Sequence, residues 1–254
     1  MQHTLLIANW KMNPETLKTA KAIVTGIKKA AVSATRTTTV VCPPAIYLGE
    51  ISRTIRSEKV KFGAQDAYFE RVGAFTGQVS PLMVKDAGAL YLILGHSERR
   101  AAGDTDDVIN RKVKTALGLG FVVIICVGEK QRDEHGFYLS TVQSQLTAGL
   151  KSVSKKDAGR IVVAYEPVWA IGKDAARAAV PEEIEQMMLY IRKVLTSVFG
   201  KMSSKVRTIY GGSVEVKGAE MLLAIPHVDG LLVGRESLNP KNFSEIIRMT
   251  NTKK

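Results

Sequence analysis

The chain lacks any apolar run of the roughly 18 residues that a helix needs to cross a bilayer, so a membrane-spanning protein is not expected. Its first residues lack the basic, apolar and small-residue succession of a secretory signal, and the reading expects a cytoplasmic protein with no membrane partner. Cysteine is scarce: Cys42 and Cys126 are the only two, and each closes an apolar run. That excludes a disulfide framework, and neither sits in metal-ligand spacing, which leaves buried free thiols and no metal site as the plain reading. Aromatic residues are 6% of the chain, too few to interleave with its cations as base-stacking platforms do. Acidic residues are in deficit, 24 against 36 basic, for a formal net charge of +12. The basic pairs Lys28-Lys29, Arg99-Arg100, Lys155-Lys156 and Lys253-Lys254 are scattered without forming a block, so no nucleic-acid partner is expected. Solvated helix faces account for most of them, and a positive field that draws in a small anion is the use left over. Polar linkers and low-complexity stretches are also missing, so residues 1–254 read as one domain.

What is present is a rhythm. Short apolar runs of strand length recur at Thr4 to Trp10, Thr38 to Cys42, Val60 to Gln65, Ala89 to Leu94, Phe121 to Val127, Arg160 to Tyr165, Val206 to Tyr210 and Asp229 to Val233. Runs such as Leu5-Leu6-Ile7 and Val122-Val123-Ile124-Ile125 are apolar at successive positions, which suits parallel strands covered on both faces. Amphipathic stretches lie between them, at Thr16 to Ala31, Ala45 to Ser57, Thr105 to Leu119, Ser140 to Val153, Pro181 to Phe199, Val214 to Ala224 and Pro240 to Met249. Pro181 with Glu182-Glu183 supplies proline and negative charge to a first helical turn, and Asn239-Pro240 opens another helix in a similar way. Strand and helix alternating eight times predict an α/β fold closed into a (β/α)8 barrel, eight parallel strands ringed by helices. An open doubly wound sheet is the competing fold. Against it, the first strand is followed by Asn9-Trp10-Lys11-Met12-Asn13 and not by a Gly-rich dinucleotide fingerprint.

In such a barrel, chemistry belongs to the residues just past the strand C-termini. Glu166 ends the sixth run immediately before Pro167, which holds it extended, and Val168, Trp169 and Ile171 follow as an apolar cover. A fixed carboxylate kept from water makes a general base; an ion pair at a strand end is the plainer alternative. Alternation from the first strand sends Asn9 and Lys11 to one side with Trp10 opposite, an amide and an ammonium suited to a carbonyl or an anion, although Lys11 also reads as a snorkelling surface residue. The fourth run leads into His96, Ser97 and Glu98, where His96 is placed to donate to a substrate oxygen and Glu98 to pair with Lys11 or Arg99. The seventh and eighth runs lead into Gly211-Gly212-Ser213 and Gly234-Arg235, two glycine loops where barrels commonly bind phosphate.

Taken together and in order, Asn9-Trp10-Lys11-Met12-Asn13, Gly73-Ala74-Phe75-Thr76-Gly77, Gly95-His96-Ser97-Glu98-Arg99-Arg100, Ala164 to Gly172 and Tyr210-Gly211-Gly212-Ser213-Val214 resemble the triosephosphate isomerase family over nearly the whole chain. The resemblance implies a TIM barrel, a glycolytic and gluconeogenic isomerase of triose phosphates, and no cofactor or metal. It implies Glu166 as the base, His96 as the polarising group, and Asn9 and Lys11 as stabilisers of an enediolate, a division of labour that belongs to the family and not to the spacing of these residues. Gly172, Ser213, Gly234 and Arg235 would hold the phosphate, with Ser97, Glu98 and Cys126 in support. Thr76 would enter a partner subunit, which implies a homodimer.

Two departures stand out. Residues 173–181 form a lid tip about two residues longer than the family's usual one. Arg235 stands where most members have a second glycine; its side chain would crowd the phosphate site, point away from it or pair with the phosphate. Another (β/α)8 enzyme acting on a small phosphorylated substrate remains the alternative, ahead of a barrel retained only for binding, because a fold hosts many functions.

Overall fold

In the structure, a computed structural model that describes residues 3–55, 59–172, 175 and 177–250, every expected strand is present. They are β1 (Thr4–Asn9), β2 (Thr37–Cys42), β3 (Val60–Ala64), β4 (Tyr91–Leu94), β5 (Val122–Val127), β6 (Ile161–Tyr165), β7 (Arg207–Tyr210) and β8 (Gly230–Val233). Each pairs in parallel with the next, and β8 returns to β1 with Leu5 opposite Gly230 and Ala8 opposite Val233. The closed barrel is therefore the architecture, and the open sheet is excluded.

Several strands begin later than the apolar pattern predicts. Phe121 is fully buried, yet its amide donates to Ala116 O and so still finishes the preceding helix; Val206 likewise donates to Ser203 O. An apolar side chain enters the core before its backbone enters the sheet.

The helices are α1 (Leu17–Ala31), α2 (Leu48–Ile55), α3 (Pro81–Asp86), α4 (Ser97–Ala101), α5 (Asp106–Gly118), α6 (Phe137–Gly149), α7 (Pro181–Phe199), α8 (Val216–Ala224) and α9 (Pro240–Met249). Thr16 and Thr105 are N-caps outside their helices, the role their hydroxyls suit. Residues 45–47 form a single 3-10 turn ahead of α2, and the expected end of that helix at Ser57 lies outside the described residues. The reading missed α3 and α4, which are too short to show a period. It placed α6 three residues late: Asp133 accepts the amides of His135, Phe137 and Tyr138, which starts the helix at Phe137 although that ring is 68% exposed.

Alternation along the strands builds two cores from one ring. Leu5, Ile7, Val40, Ile93, Ile124, Val162, Ala164, Ile209 and Leu232 fill the interior with Cys42 and Cys126. Leu6, Ala8, Val41, Leu92, Val123, Val163 and Leu231 face outward against the helices. That is why the strands are apolar at successive positions, each buried large side chain contributing about 1.5–3 kcal/mol. Closure needs Gly230, because a Cβ there would stand 1.9 Å from Leu5 O. Among the described residues no helix is long and apolar enough to cross a membrane. Cys42 and Cys126 are buried free thiols, as expected.

Candidate active site

β1 delivers Asn9 to the C-terminal rim, 4% exposed, and Trp10 goes fully buried into the outer shell. Lys11 then turns into the left-handed region at φ 53, a conformation that costs a bulky side chain about 1–3 kcal/mol. Three hydrogen bonds hold it there: Gln65 Nε2 donates to Lys11 O at 2.8 Å and to Cys42 O at 2.9 Å, and Lys11 N donates to Asn9 Oδ1 at 3.1 Å. Asn9 and Lys11 do line one cavity, but the turn at Lys11 brings them together, not the strand's pleat. The Lys11 ammonium ends 2.6 Å from Glu98 Oε1, one of the two pairings foreseen; Arg99 instead meets Asp66 and Asp104.

β4 ends at Leu94, Gly95 turns at φ 70, and His96 caps α4 with its own ring. The Glu98 amide donates to His96 Nδ1 at 3.2 Å. A nitrogen that accepts carries no proton, so the hydrogen-bond network assigns the ring proton to Nε2, the atom on the cavity side. That Nε2 lies 3.2 Å from Glu166 Oε1.

Glu166 leaves β6 with its amide bonded to Val127 O at 2.8 Å, and it is 2% exposed. Its Oε2 accepts the Ser97 amide at 3.0 Å. Its Oε1 is buried without an aligned hydrogen bond among the described residues, close to His96 but off the line of the N–H. A buried carboxylate oxygen left in this state is costly. The backbone around it is crowded: a Cβ on Gly128 would lie 1.7 Å from Glu166 O, and one on Gly211 3.1 Å from Glu166 Cγ. Cys126 lies beneath, fully buried, where burial and then the neighbouring Glu166 raise its thiol pKa well above the ordinary value. It packs as a neutral thiol.

The apolar cover expected over Glu166 needs correction. Of Val168, Trp169 and Ile171, Ile171 alone lines the cavity. Trp169 turns away and donates its indole N–H to Glu129 Oε1 at 2.7 Å, an oxygen that also accepts Tyr165 OH at 2.9 Å. Glu129 is 1% exposed, and burial raises its pKa.

One cavity of about 310 Å³ brings together Asn9, Lys11, His96, Glu166, Gly172, Ser213, Gly234 and Arg235, every position expected to act on or hold a substrate. Ser213 Oγ donates to Ala170 O at 2.8 Å, tying the seventh strand's loop to the segment after Glu166. Arg235 is exposed at the rim and opens a 3-10 turn, residues 235–238, whose Glu236 is held by Asn242 at 2.6 Å. Ser97 and Glu98 stand beside the cavity through their backbone and carboxylate contacts. Thr76 is elsewhere, exposed on a loop whose Gly73 and Gly77 both take positive φ. Of the longer tip, 173, 174 and 176 lie outside the described residues.

Gln65 and Glu129 were missed. Gln65 is the first residue past β3 and Glu129 the second past β5, so the strand-end rule that found His96 and Glu166 would have found both had it been applied to every strand.

Residues 4–250 match the family model described as triosephosphate isomerase. A protein of Coprinopsis cinerea named triosephosphate isomerase is 44% identical over 243 residues, covering 94% of each chain. Proteins of that name from Carboxydothermus hydrogenoformans and Thermoanaerobacter pseudethanolicus are each 38% identical over 254 residues, spanning 98% and 97% of this chain and 99% of their own. A barrel with this ordered set of strand-end residues, matched across nearly its full length, belongs to the triosephosphate isomerase family.

Proposed function

We propose that the chain interconverts dihydroxyacetone phosphate and glyceraldehyde 3-phosphate by proton transfer through an enediolate. The observation that carries this is the buried Glu166 carboxylate, one oxygen without an aligned partner, facing a histidine whose Nδ1 is already occupied. Glu166 removes the proton alpha to the carbonyl and returns it to the neighbouring carbon. His96 donates from Nε2 to the carbonyl oxygen and relays protons between the two oxygens. Asn9 and Lys11 face the same cavity, where a fixed amide and an ammonium favour the enediolate over the neutral carbonyl. The substrate's own carbonyl acidifies the carbon, so the reaction needs no cofactor.

Gly172, Ser213 and Gly234 hold the phosphate through backbone groups, and Arg235 adds a cation at the rim. The place of the reaction is central carbon metabolism in the cytoplasm, in both glycolytic and gluconeogenic directions. The working unit is a homodimer of single-domain barrels. Supporting that are the exposed Phe75 and Thr76 loop and a second cavity beside the first, lined by Asn9, Lys11, Gln65, Tyr68, His96 and Glu98, which fits an inserted loop. Sedimentation of the purified chain at micromolar concentration should give a dimer, and a monomer with full activity would refute that part.

The test of the reaction is interconversion of the two triose phosphates by the purified chain without added metal, beside Glu166→Gln. The variant should be slower by at least about 10²–10⁴-fold. A variant as fast as the parent would remove Glu166 from its role. A folded parent without activity would move another phosphorylated substrate to the front.

A further inference from the structure

In the sequence Arg99-Arg100 is one of the scattered basic pairs, but the Arg100 side chain is only 17% exposed. Each nitrogen of its guanidinium has a fixed partner. Nε donates to Gly95 O at 2.9 Å, Nη2 to Cys126 O at 3.3 Å and Nη1 to Asp106 Oδ1 at 2.6 Å. The two carbonyls are ends that the sheet leaves open. β4 pairs with β5 only as far as Leu94 opposite Ile125, because Gly95 then turns away at φ 70. Val127 O is taken by the Glu166 amide on the β6 side, so the alternation of a parallel ladder points Cys126 O to the side that β4 has left. Cys126 is fully buried, and a buried carbonyl without a donor is costly. Arg100 supplies the donor, and the space is tight: a Cβ on Gly95 would lie 3.3 Å from both Arg100 Nη2 and Cys126 O.

What this anchor holds is α4. The helix has five residues and none of them is buried, so its own packing does not fix it. Yet its first turn carries the site: the Ser97 amide donates to Glu166 Oε2 at 3.0 Å, the Glu98 amide to His96 Nδ1 at 3.2 Å and the Arg100 amide to His96 O at 3.0 Å. We propose that Arg100 is a positioning residue for the isomerisation: by tying the α4 turn to Gly95 and Cys126, it keeps the Glu98 amide on His96 Nδ1 and the ring proton on Nε2. The inference rests on the isomerase reading of the site. A neutral imidazole has one proton, and the partner of one nitrogen decides which atom carries it. With the turn loosened, Nδ1 loses its donor and takes the proton in part of the molecules, and an Nε2 without a proton cannot donate to a substrate oxygen. The planar fork meets two carbonyls and a carboxylate at once, which a lysine ammonium on a flexible stem does not.

The experiment compares the parent chain, Arg100→Lys and Arg100→Ala. It measures isomerisation kcat and KM per folded molecule, and the nitrogen NMR signals of histidine-labelled resting protein, with His96 identified by its absence from His96→Gln. Above the ordinary imidazole range, the parent should show an unprotonated Nδ1 and a protonated Nε2. Arg100→Lys keeps the charge beside Asp106 and loses the fork. It should lower kcat by about tenfold or more with KM within about twofold, and draw the two His96 signals together as the tautomers mix. Arg100→Ala should go further in both. Parental kcat in Arg100→Lys, or a slower variant whose His96 signals match the parent's, overturns the role of Arg100 while the isomerase reading stands. Failure of both variants to fold overturns it as well, by making Arg100 a structural anchor. A parent that does not isomerise overturns the reading and the inference with it.

Discussion

Replacing Gln65 by leucine should separate activity from stability. One side-chain nitrogen holds the carbonyls of Lys11 and Cys42, at 2.8 and 2.9 Å, and so keeps Lys11 at φ 53. Losing two such bonds costs about 1–3 kcal/mol at roughly 0.5–1.5 each. Letting Lys11 fall back to an ordinary φ returns about 1–3 kcal/mol of backbone strain. The two nearly cancel, so Tm should move by no more than about 4 °C for a chain of this size. The ammonium remains paired with Glu98, but its backbone anchor is gone, and a displacement of about 1 Å costs on the order of 10² in rate. Calorimetry beside steady-state kinetics tests this: kcat/KM should fall about 10²-fold with Tm nearly unchanged. Undiminished kcat/KM, or a large drop in Tm with full activity per folded molecule, would refute the reasoning that strain at Lys11 is held for function.

Glu129→Ala strips the acceptor from two donors, Tyr165 OH and Trp169 Nε1, and should cost roughly 2–6 kcal/mol in urea unfolding, with Glu129→Gln far milder; a loss within about 1 kcal/mol would contradict it. Arg235→Ala should raise KM for triose phosphate severalfold, most at low salt, and leave kcat nearly unchanged, since a rim charge holds ground and transition states alike. If KM is the same at every ionic strength, the side chain takes no part. The hydrogen bonds from Arg177, whose Nη1 and Nη2 donate to the two carboxylate oxygens of Glu183 at 2.8 and 2.7 Å, hold the Glu183 pKa down from 4.5 to about 2, so the pair's stabilisation is complete above the unfolded value and is lost as pH falls through that window. The stability difference between the parent and Arg177→Ala should therefore shrink as pH falls from about 4.5 to about 2, and a constant difference would exclude the pairing.

The barrel was legible because its strands are buried on both faces: Leu5 and Ile7 look inward while Leu6 and Ala8 look outward, so the apolar run survives any choice of register. Pro181–Phe199 and Pro240–Met249 were read to the residue because a proline marks each start, backed by Glu182-Glu183 in the first turn of one and by the Asn239 cap of the other, and packing does not move it. The start of α6 was not, since the Asp133 carboxylate that sets it lies four residues upstream in what reads as a loop. Within the site, types and positions were readable, but partners were not. That Trp169 turns to Glu129 and that Lys11 needs Gln65 depend on residues far apart in the chain meeting at the rim, while the occupied His96 Nδ1 depends on the ring turning back onto the Glu98 amide two residues on. Periodicity carries no information about such meetings.

The pairing of β1 with β8 has a consequence for synthesis. Asn9 and Lys11 come from the first strand, Gly234 and Arg235 follow the last, and the two strands lie side by side from Leu5 and Gly230 to Ala8 and Val233. No nascent chain short of its final strand assembles the cavity, so the ribosome carries an incomplete site until almost the end. For about 10 to 45 s at ordinary rates of elongation, β1 waits with one edge open, its amides and carbonyls ready to pair with any other strand in reach. Each molecule is most exposed to misassembly in the interval between making Asn9 and making the strand that completes the cavity.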